Sequence, residues 1–204
     1  MSNVKTEDKR HLRSAATRRK VLEAAKAVFL EEGFQKATIA QMIKKAEVGY
    51  GTAYVHFQGK EDLLRVLMED VMEQFYQIAA ISFTPKTREE AERTIHYQTL
   101  SFLTMAEAER NMMQIFEQAI GVSPVISDKW KTIREKFIER ISLDIGYSQR
   151  HGLARTDVDC DIIARSWFFT NEMYLWEIVR DEHKRPVEEI AATITALYTR
   201  GLYL

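Results

Sequence analysis

The chain has 204 residues, 46% of them apolar, and a formal net charge of −1; this composition excludes intrinsic disorder and supports one or two packed domains. One cysteine, Cys160, excludes an internal disulfide and a cysteine-based zinc set. No stretch approaches the ~18 consecutive apolar residues of a membrane span, and the N-terminus lacks the apolar core of a secretory signal, so a cytoplasmic protein with no membrane partner is expected. Three prolines and eight glycines among many Ala, Glu, Lys, Leu, Ile and Met leave long helix-favouring segments, and the expected fold class is all-α. The near-zero net charge conceals a polarity along the chain. Through Arg65 there are 13 Lys and Arg against 8 Asp and Glu, and beyond it 16 against 22. A basic first third before an acidic body suits a protein with one end facing a polyanion, although clustered charges on solvated helices give the same count.

In chain order, residues 1–16 are expected to form a mobile basic arm containing Lys5, Lys9, Arg10 and Arg13. From Thr17 the apolar residues Val21, Leu22, Ala25, Val28 and Phe29 recur at helical spacing, and Gly33 stands where a C-terminal cap would. Thr38 is placed to cap a second helix through Ile39, Met42, Ile43 and Ala46. After Glu47-Val48-Gly49 a short helix is expected from Tyr50 to Phe57. Gln58-Gly59 then turn the chain into a long helix with Leu63, Leu64, Leu67, Val71 and Phe75 on one side. Beyond Pro85 longer helices are expected at about 87–107, 110–120, 128–150, 158–181 and 187–201.

Helix, short turn, short helix over residues 38–57 is the layout of a helix-turn-helix, whose second helix lies in the DNA major groove. Ala46, Val48, Ala53 and Phe57 supply the contacts that fix the two helices. Tyr50, Gly51, Thr52, Tyr54 and His56 are then offered outward, with Lys44, Lys45 and Lys60 in reach of phosphates and Gly49 as the N-cap. Tyr54 and Phe57 also read as partly core, and His56 divides evenly between a packed residue and a phosphate ligand. Arg10, Arg13, Arg18, Arg19 and Lys20 add cations that contribute affinity without reading sequence, or form a solvated tail.

The run TRRKVLEAAKAVFLEEGFQKATIAQMIKKAEVGYGTAYVHFQGKEDLL, residues 17–64, resembles the tetracycline-repressor (TetR) family of bacterial transcriptional regulators. The resemblance rests on Gly33-Phe34 ending the first helix, on Thr38, on Gly51, Thr52, Tyr54 and Phe57 in the recognition helix, and on Lys60-Glu61 with Leu63-Leu64 after it. It implies that Thr38 and Tyr54 hold phosphates, that Gly51 and Thr52 approach DNA closely, and that Lys60 adds a phosphate contact. Two positions depart from the family's pattern. Glu47 stands where glycine is common, at a cost of about 1 kcal/mol. Gly49-Tyr50 replaces a Ser or Thr followed by a cation, leaving Tyr50 to hydrogen-bond a phosphate or pack on a thymine methyl.

The expected organisation is a DNA-binding domain over residues 1–60 and a helical effector-binding and dimerisation domain over 61–204. In the body, Phe75, His96, Tyr97, Phe102, Met105, Met113, Phe116, Trp130, Phe137 and Trp167 supply bulk for an apolar ligand cavity, or for core. The last two helices are apolar on more than one face, with Phe169, Met173, Trp176, Ile190, Ile194, Leu197 and Tyr198. The resemblance implies that they pair with their mates in a homodimer. The function implied is a repressor that binds a palindromic double-stranded operator and is released by a small apolar or amphipathic effector. An activator, or a regulator without such an inducer, is the other reading. A helical enzyme is disfavoured: the five histidines show no metal-ligand spacing, and neither a phosphate-binding GxxxxGK[ST] loop nor a GxSxG elbow is present. No metal and no cofactor are expected.

Overall fold

From Ser2 to Glu32 the sequence holds neither glycine nor proline, and helix α1 spans Ser2–Lys36. The computed structural model describes the backbone of residues 2–204 and the side chains of residues 12–204. The mobile arm expected over residues 1–16 is thus replaced by the first turns of α1, because nothing in that segment interrupts a helix. The side chains of Lys5, Lys9 and Arg10 lie outside the described residues. Gly33 interrupts α1 with φ 73° and ψ 168°, a region open essentially to glycine alone.

Eight further helices follow among the described residues: α2 (Ile39–Ala46), α3 (Tyr50–Tyr54), α4 (Lys60–Ala79), α5 (Arg88–Ala108), α6 (Arg110–Val122), α7 (Pro124–Arg150), α8 (Cys160–Val179) and α9 (Val187–Leu202). They form no strand; the one extended pairing is a single bridge between Ala154 and Tyr203. The fold is all-α, with an N-terminal helix-turn-helix segment followed by a helical domain. The chain divides into two compact units, residues 1–70 with 115–129 and residues 71–114 with 130–204.

The first unit buries Val21, Leu22, Ala25, Val28 and Phe29 of α1 with Met42, Ile43 and Ala46 of α2, the apolar faces read from the spacing. Leu63 and Leu64 of α4 are fully buried. Its later segment ties back onto the earlier one: Gln118 Oε1 accepts from the Phe34 N–H at 3.4 Å, and Ser123 Oγ donates to Glu61 at 2.6 Å.

In the second unit, α5 packs on α8 and α9. An aromatic run links Phe75 to Phe102 at 5.2 Å, Phe102 to Phe137 at 6.0 Å and Phe137 to Phe168 at 5.7 Å. Buried Glu172 accepts from Trp130 Nε1 at 2.6 Å and from Arg134 Nε at 2.7 Å, so its charge is both paired and hydrogen-bonded.

Two left-handed residues of the first unit make opposite demands. A Cβ at Gly33 would press on Gln118 Oε1 at 3.2 Å, on a backbone conformation that side chains rarely adopt; Glu47, at φ 54° and ψ 43°, carries a side chain in a conformation that disfavours one. Gly33→Ala is expected to destabilise the protein by about 1–3 kcal/mol, and Glu47→Gly to stabilise it by up to about 1 kcal/mol. Urea unfolding midpoints check both signs.

Candidate nucleic-acid interface

The helix-turn-helix is built by local rules. Thr38 is extended and caps α2 through a full capping box: its Oγ1 accepts from the Gln41 N–H at 3.3 Å, and Gln41 Oε1 accepts from the Thr38 N–H at 2.8 Å. Glu47 ends α2 in the left-handed conformation, its N–H donating to the Ile43 and Lys44 carbonyls. Extended Gly49 is the N-cap of α3 and supplies no side-chain bond. The helix stops at Tyr54, three residues short of the expected end at Phe57. His56 and Phe57 instead donate their N–H groups to the Ala53 carbonyl, a tight turn that drives Phe57 into the core.

This arrangement buries Ala53 and Phe57 and turns the other side of α3 outward. Tyr50 is 56% exposed and Tyr54 42%, Gly49, Gly51 and Thr52 are exposed, and His56 is half-buried. At Gly51 an added Cβ would meet nothing within 4 Å. The fold therefore leaves space for a side chain there, and the missing one opens the backbone to an approaching partner. Val55, 78% exposed, belongs to the same surface and was not foreseen. The signal for it was the buried pair Ala53 and Phe57, which forces the residue midway between them outward.

The cations are less free than their charges suggest. Lys45 pairs with Glu31 of α1, while Lys44 is exposed. Lys60, expected to reach a phosphate, instead donates to the Phe34 carbonyl at 2.8 Å and the Gln35 carbonyl at 3.1 Å, with its ammonium 4.6 Å from the centre of the Phe34 ring. A cation at the C-terminal end of a helix satisfies carbonyls left without intrahelical donors. The Arg18 guanidinium stands 5.4 Å from the centre of the Phe57 ring, and Arg13, Arg19 and Lys20 are exposed.

In the second unit, a cavity of about 60 Å³ is lined by the expected Phe102, Phe137 and Trp167, together with Ile78, Gln98, Thr99, Ile141, Asp144, Phe168 and Asn171. Phe75, Met113 and Trp130 are buried as core, as is Phe116 in the first unit, and Tyr97 is exposed, while His96 and Met105 are half-buried and do not line the cavity. Burial pushes the Asp144 carboxyl up to about 7, against the pull of Arg140, whose Nη2 donates to Asp144 Oδ1.

The α8 and α9 surfaces differ in part from the expected interface. Ile190 and Ile194 are buried within their own unit and Tyr198 stacks on Trp167 at 4.2 Å, because α9 uses this face to pack on α5. Trp176 is half-buried beside Trp130 at 5.2 Å. Phe169, Met173 and Leu197 do face outward, joined by Ile162, which is 65% exposed. Positions 162, 166, 169 and 173 share one helical stripe.

A helix-turn-helix head followed by a helical domain defines the class of protein. The sequence profile of the bacterial regulatory proteins of the tetR family matches residues 21–67, and over this helix-turn-helix segment the chain is similar to that family. It is 33% identical over 58 residues to the A-factor receptor protein of Streptomyces griseus, a match taking in 28% of this chain and 21% of that protein's length. It is 28% identical over 150 residues to the HTH-type transcriptional regulator UidR of Escherichia coli K12, covering 69% of each chain. The SmeT–triclosan complex shares the fold, with a TM-score of 0.75 at 20% identity over 93% of this chain and 92% of that one. Among the described residues, no helix is long and apolar enough to cross a membrane.

Lys60→Met keeps the aliphatic stem and removes the ammonium that closes α1. It is expected to lower the stability of the protein by about 1–2 kcal/mol. Chemical denaturation in the absence of DNA checks this; unchanged stability would return Lys60 to the surface cations.

Proposed function

We propose that this chain is a transcriptional repressor that binds a palindromic operator as a homodimer and is released by a small amphipathic ligand. The observation that carries the DNA-binding part is the geometry of α3. Its apolar residues Ala53 and Phe57 are buried while Tyr50, Thr52, Tyr54 and Val55 stand out around the bare backbone of Gly51. In this reading Tyr54 and the neighbouring cations hold phosphates, Thr52 and Tyr50 meet base edges, and Thr38 presents the start of α2 to the backbone. Residues 1–60 thus carry DNA contact, and the remainder carries effector binding and dimerisation.

The dimer is supported by the outward Ile162, Phe169 and Met173 of α8 and Leu197 of α9, large apolar groups whose burial is worth roughly 1.5–3 kcal/mol each. Two copies of a five-residue helix reading two half-sites supply the specificity that one lacks. The effector is supported by the aromatic cavity, and the neighbouring SmeT fold carries triclosan. At about 60 Å³ the cavity is far below the ~300–1,000 Å³ of drug-sized pockets, so a ligand has to widen it. Ile78 and Ala79 of α4 are on its wall, and α4 is also the helix that opens with Lys60. A ligand that displaces the end of α4 favours an arrangement unsuited to the operator, and ligand and DNA weaken each other reciprocally by about 1–3 kcal/mol. The small volume is also what favours the other reading, a regulator without a small-molecule inducer.

Selection of genomic DNA fragments by the purified protein is expected to return a palindromic consensus; no enrichment at low salt would overturn the reading. Thr52→Ala and Tyr54→Ala are each expected to weaken operator binding about tenfold or more, with the dimer intact by sedimentation. Unchanged affinity in both would mean that α3 does not face DNA. Phe169→Glu combined with Leu197→Glu is expected to yield monomers, since each buries a charge in an apolar contact; a persistent dimer would place the interface elsewhere.

A further inference from the structure

The cavity of the second unit has a chemical bias in its polar groups. Its walls are the rings of Phe102, Phe137, Trp167 and Phe168. Among its polar lining residues, Asn171 donates its Nδ2 to the Trp167 carbonyl at 2.9 Å, and Gln98 directs its Nε2 to the Ile78 and Ala79 carbonyls at 3.4 and 3.5 Å. A backbone carbonyl can only accept, so it fixes which end of each amide is the nitrogen. Each amide thus turns its nitrogen to backbone and keeps its oxygen, Oδ1 of Asn171 and Oε1 of Gln98, as an acceptor. Asp144 adds a carboxylate, of which Oδ1 takes the Arg140 guanidinium. Arg140 is not a lining residue; its Nε is turned to the Ala79 carbonyl at 3.3 Å.

Acceptor oxygens among aromatic rings favour a donor-rich cation, since an ammonium donates three hydrogen bonds and is attracted to ring faces. We propose that this cavity binds a small aromatic ligand bearing a protonated amine, with the ring against Phe102, Phe137 and Trp167 and the ammonium on Asp144. The proposal rests on the ligand-responsive reading above and names the chemistry of that same site. A carboxylate ligand is repelled by the Asp144 carboxylate, and a neutral alcohol donates once where an ammonium donates three times.

Ionisation of Asp144 adds a signature. Arg140 on α7, Tyr198 on α9 and Tyr203 near the C-terminus face this carboxyl. Burial raises Tyr198 well above the usual phenol range and Tyr203 to about 12, so both stay neutral near pH 7. The guanidinium stays charged and an alkylammonium stays protonated across the same range. Asp144 is the group that titrates, near 7. Below that pH its carboxyl carries a proton that must leave before an ammonium is received, so affinity for the cation falls as pH falls.

Calorimetric titration of the full chain with benzylamine, benzyl alcohol and benzoate tests the proposal with one ring and three heads. Benzylamine is expected to bind about tenfold or more tighter than benzyl alcohol, with benzoate weakest. Its affinity is expected to fall by about tenfold per pH unit below ~7 while that of the alcohol stays flat. Asp144→Asn is expected to bring amine and alcohol within about twofold of each other. If this variant melts early, the pH profile of the unaltered chain decides. Equal or tighter binding of alcohol or benzoate overturns the cationic assignment but leaves a ligand-responsive protein. Silence of all three probes overturns it as well, while fragment selection tests DNA binding independently. A flat pH profile for benzylamine removes Asp144 from the site.

Discussion

The interruption of α1 at Gly33 governs the first unit. A backbone at φ 73° and ψ 168° swings Phe34 off the helix line and into the core, where it is 4% exposed. The groups released by the break are then taken up by other elements. The Phe34 N–H goes to Gln118, and the Phe34 and Gln35 carbonyls go to the ammonium of Lys60. One glycine thereby brings the end of α1, the start of α4 and the later part of α6 to one point. The α2–α3 pair lies in the chain between these two helix ends and packs on α1. An exposed ion pair at this point would be worth little; a cation closing carbonyls over an aromatic ring is worth more because the helix end otherwise lacks partners.

What was legible in the sequence follows from how local each feature is. Thr38 with Gln41 three residues later is a capping box that needs no tertiary information, and Glu47 where glycine is common gives away a left-handed turn. The apolar faces of α1, α2 and α4 were legible for the same reason. The N-terminal segment was misread because its charges resemble a solvated tail, whereas uninterrupted helix-forming residues extend α1 through it. The carbonyl contacts of Lys60 were not legible, because only the three-dimensional path of Gly33-Phe34 brings those carbonyls to it.

In the body the limits are of another kind. Ile190, Ile194, Phe169, Met173 and Leu197 are indistinguishable as apolar residues on two-sided helices. Packing of α8 and α9 on α5 divides them into an inward pair on α9 and outward residues on both helices. The cavity was half legible. Phe102, Phe137 and Trp167 belonged to a set in which core and lining look alike, and Asp144, Gln98 and Asn171 look like the solvated face of a helix until neighbouring elements cover them.

The composition of α3 constrains how the proposed DNA contact divides its labour. From Val48 to Gly59 the sequence contains no Lys, Arg, Asp or Glu, so the helix offered to the groove brings hydroxyls, one imidazole, apolar surface and bare backbone. Counterion release, the source of sequence-independent affinity, scales with the cations placed against phosphates. Those cations therefore have to come from the flanks, from Lys44 at the end of α2 and from Arg13, Arg19 and Lys20 along α1. Lys60 is hydrogen-bonded to the α1 terminus and Lys45 is shared with Glu31, so among the described residues the flanking cations are those of α1 and Lys44. On the proposed reading, α3 itself contributes fit in place of charge, through the backbone bared at Gly51 and the exposed ring of Tyr50.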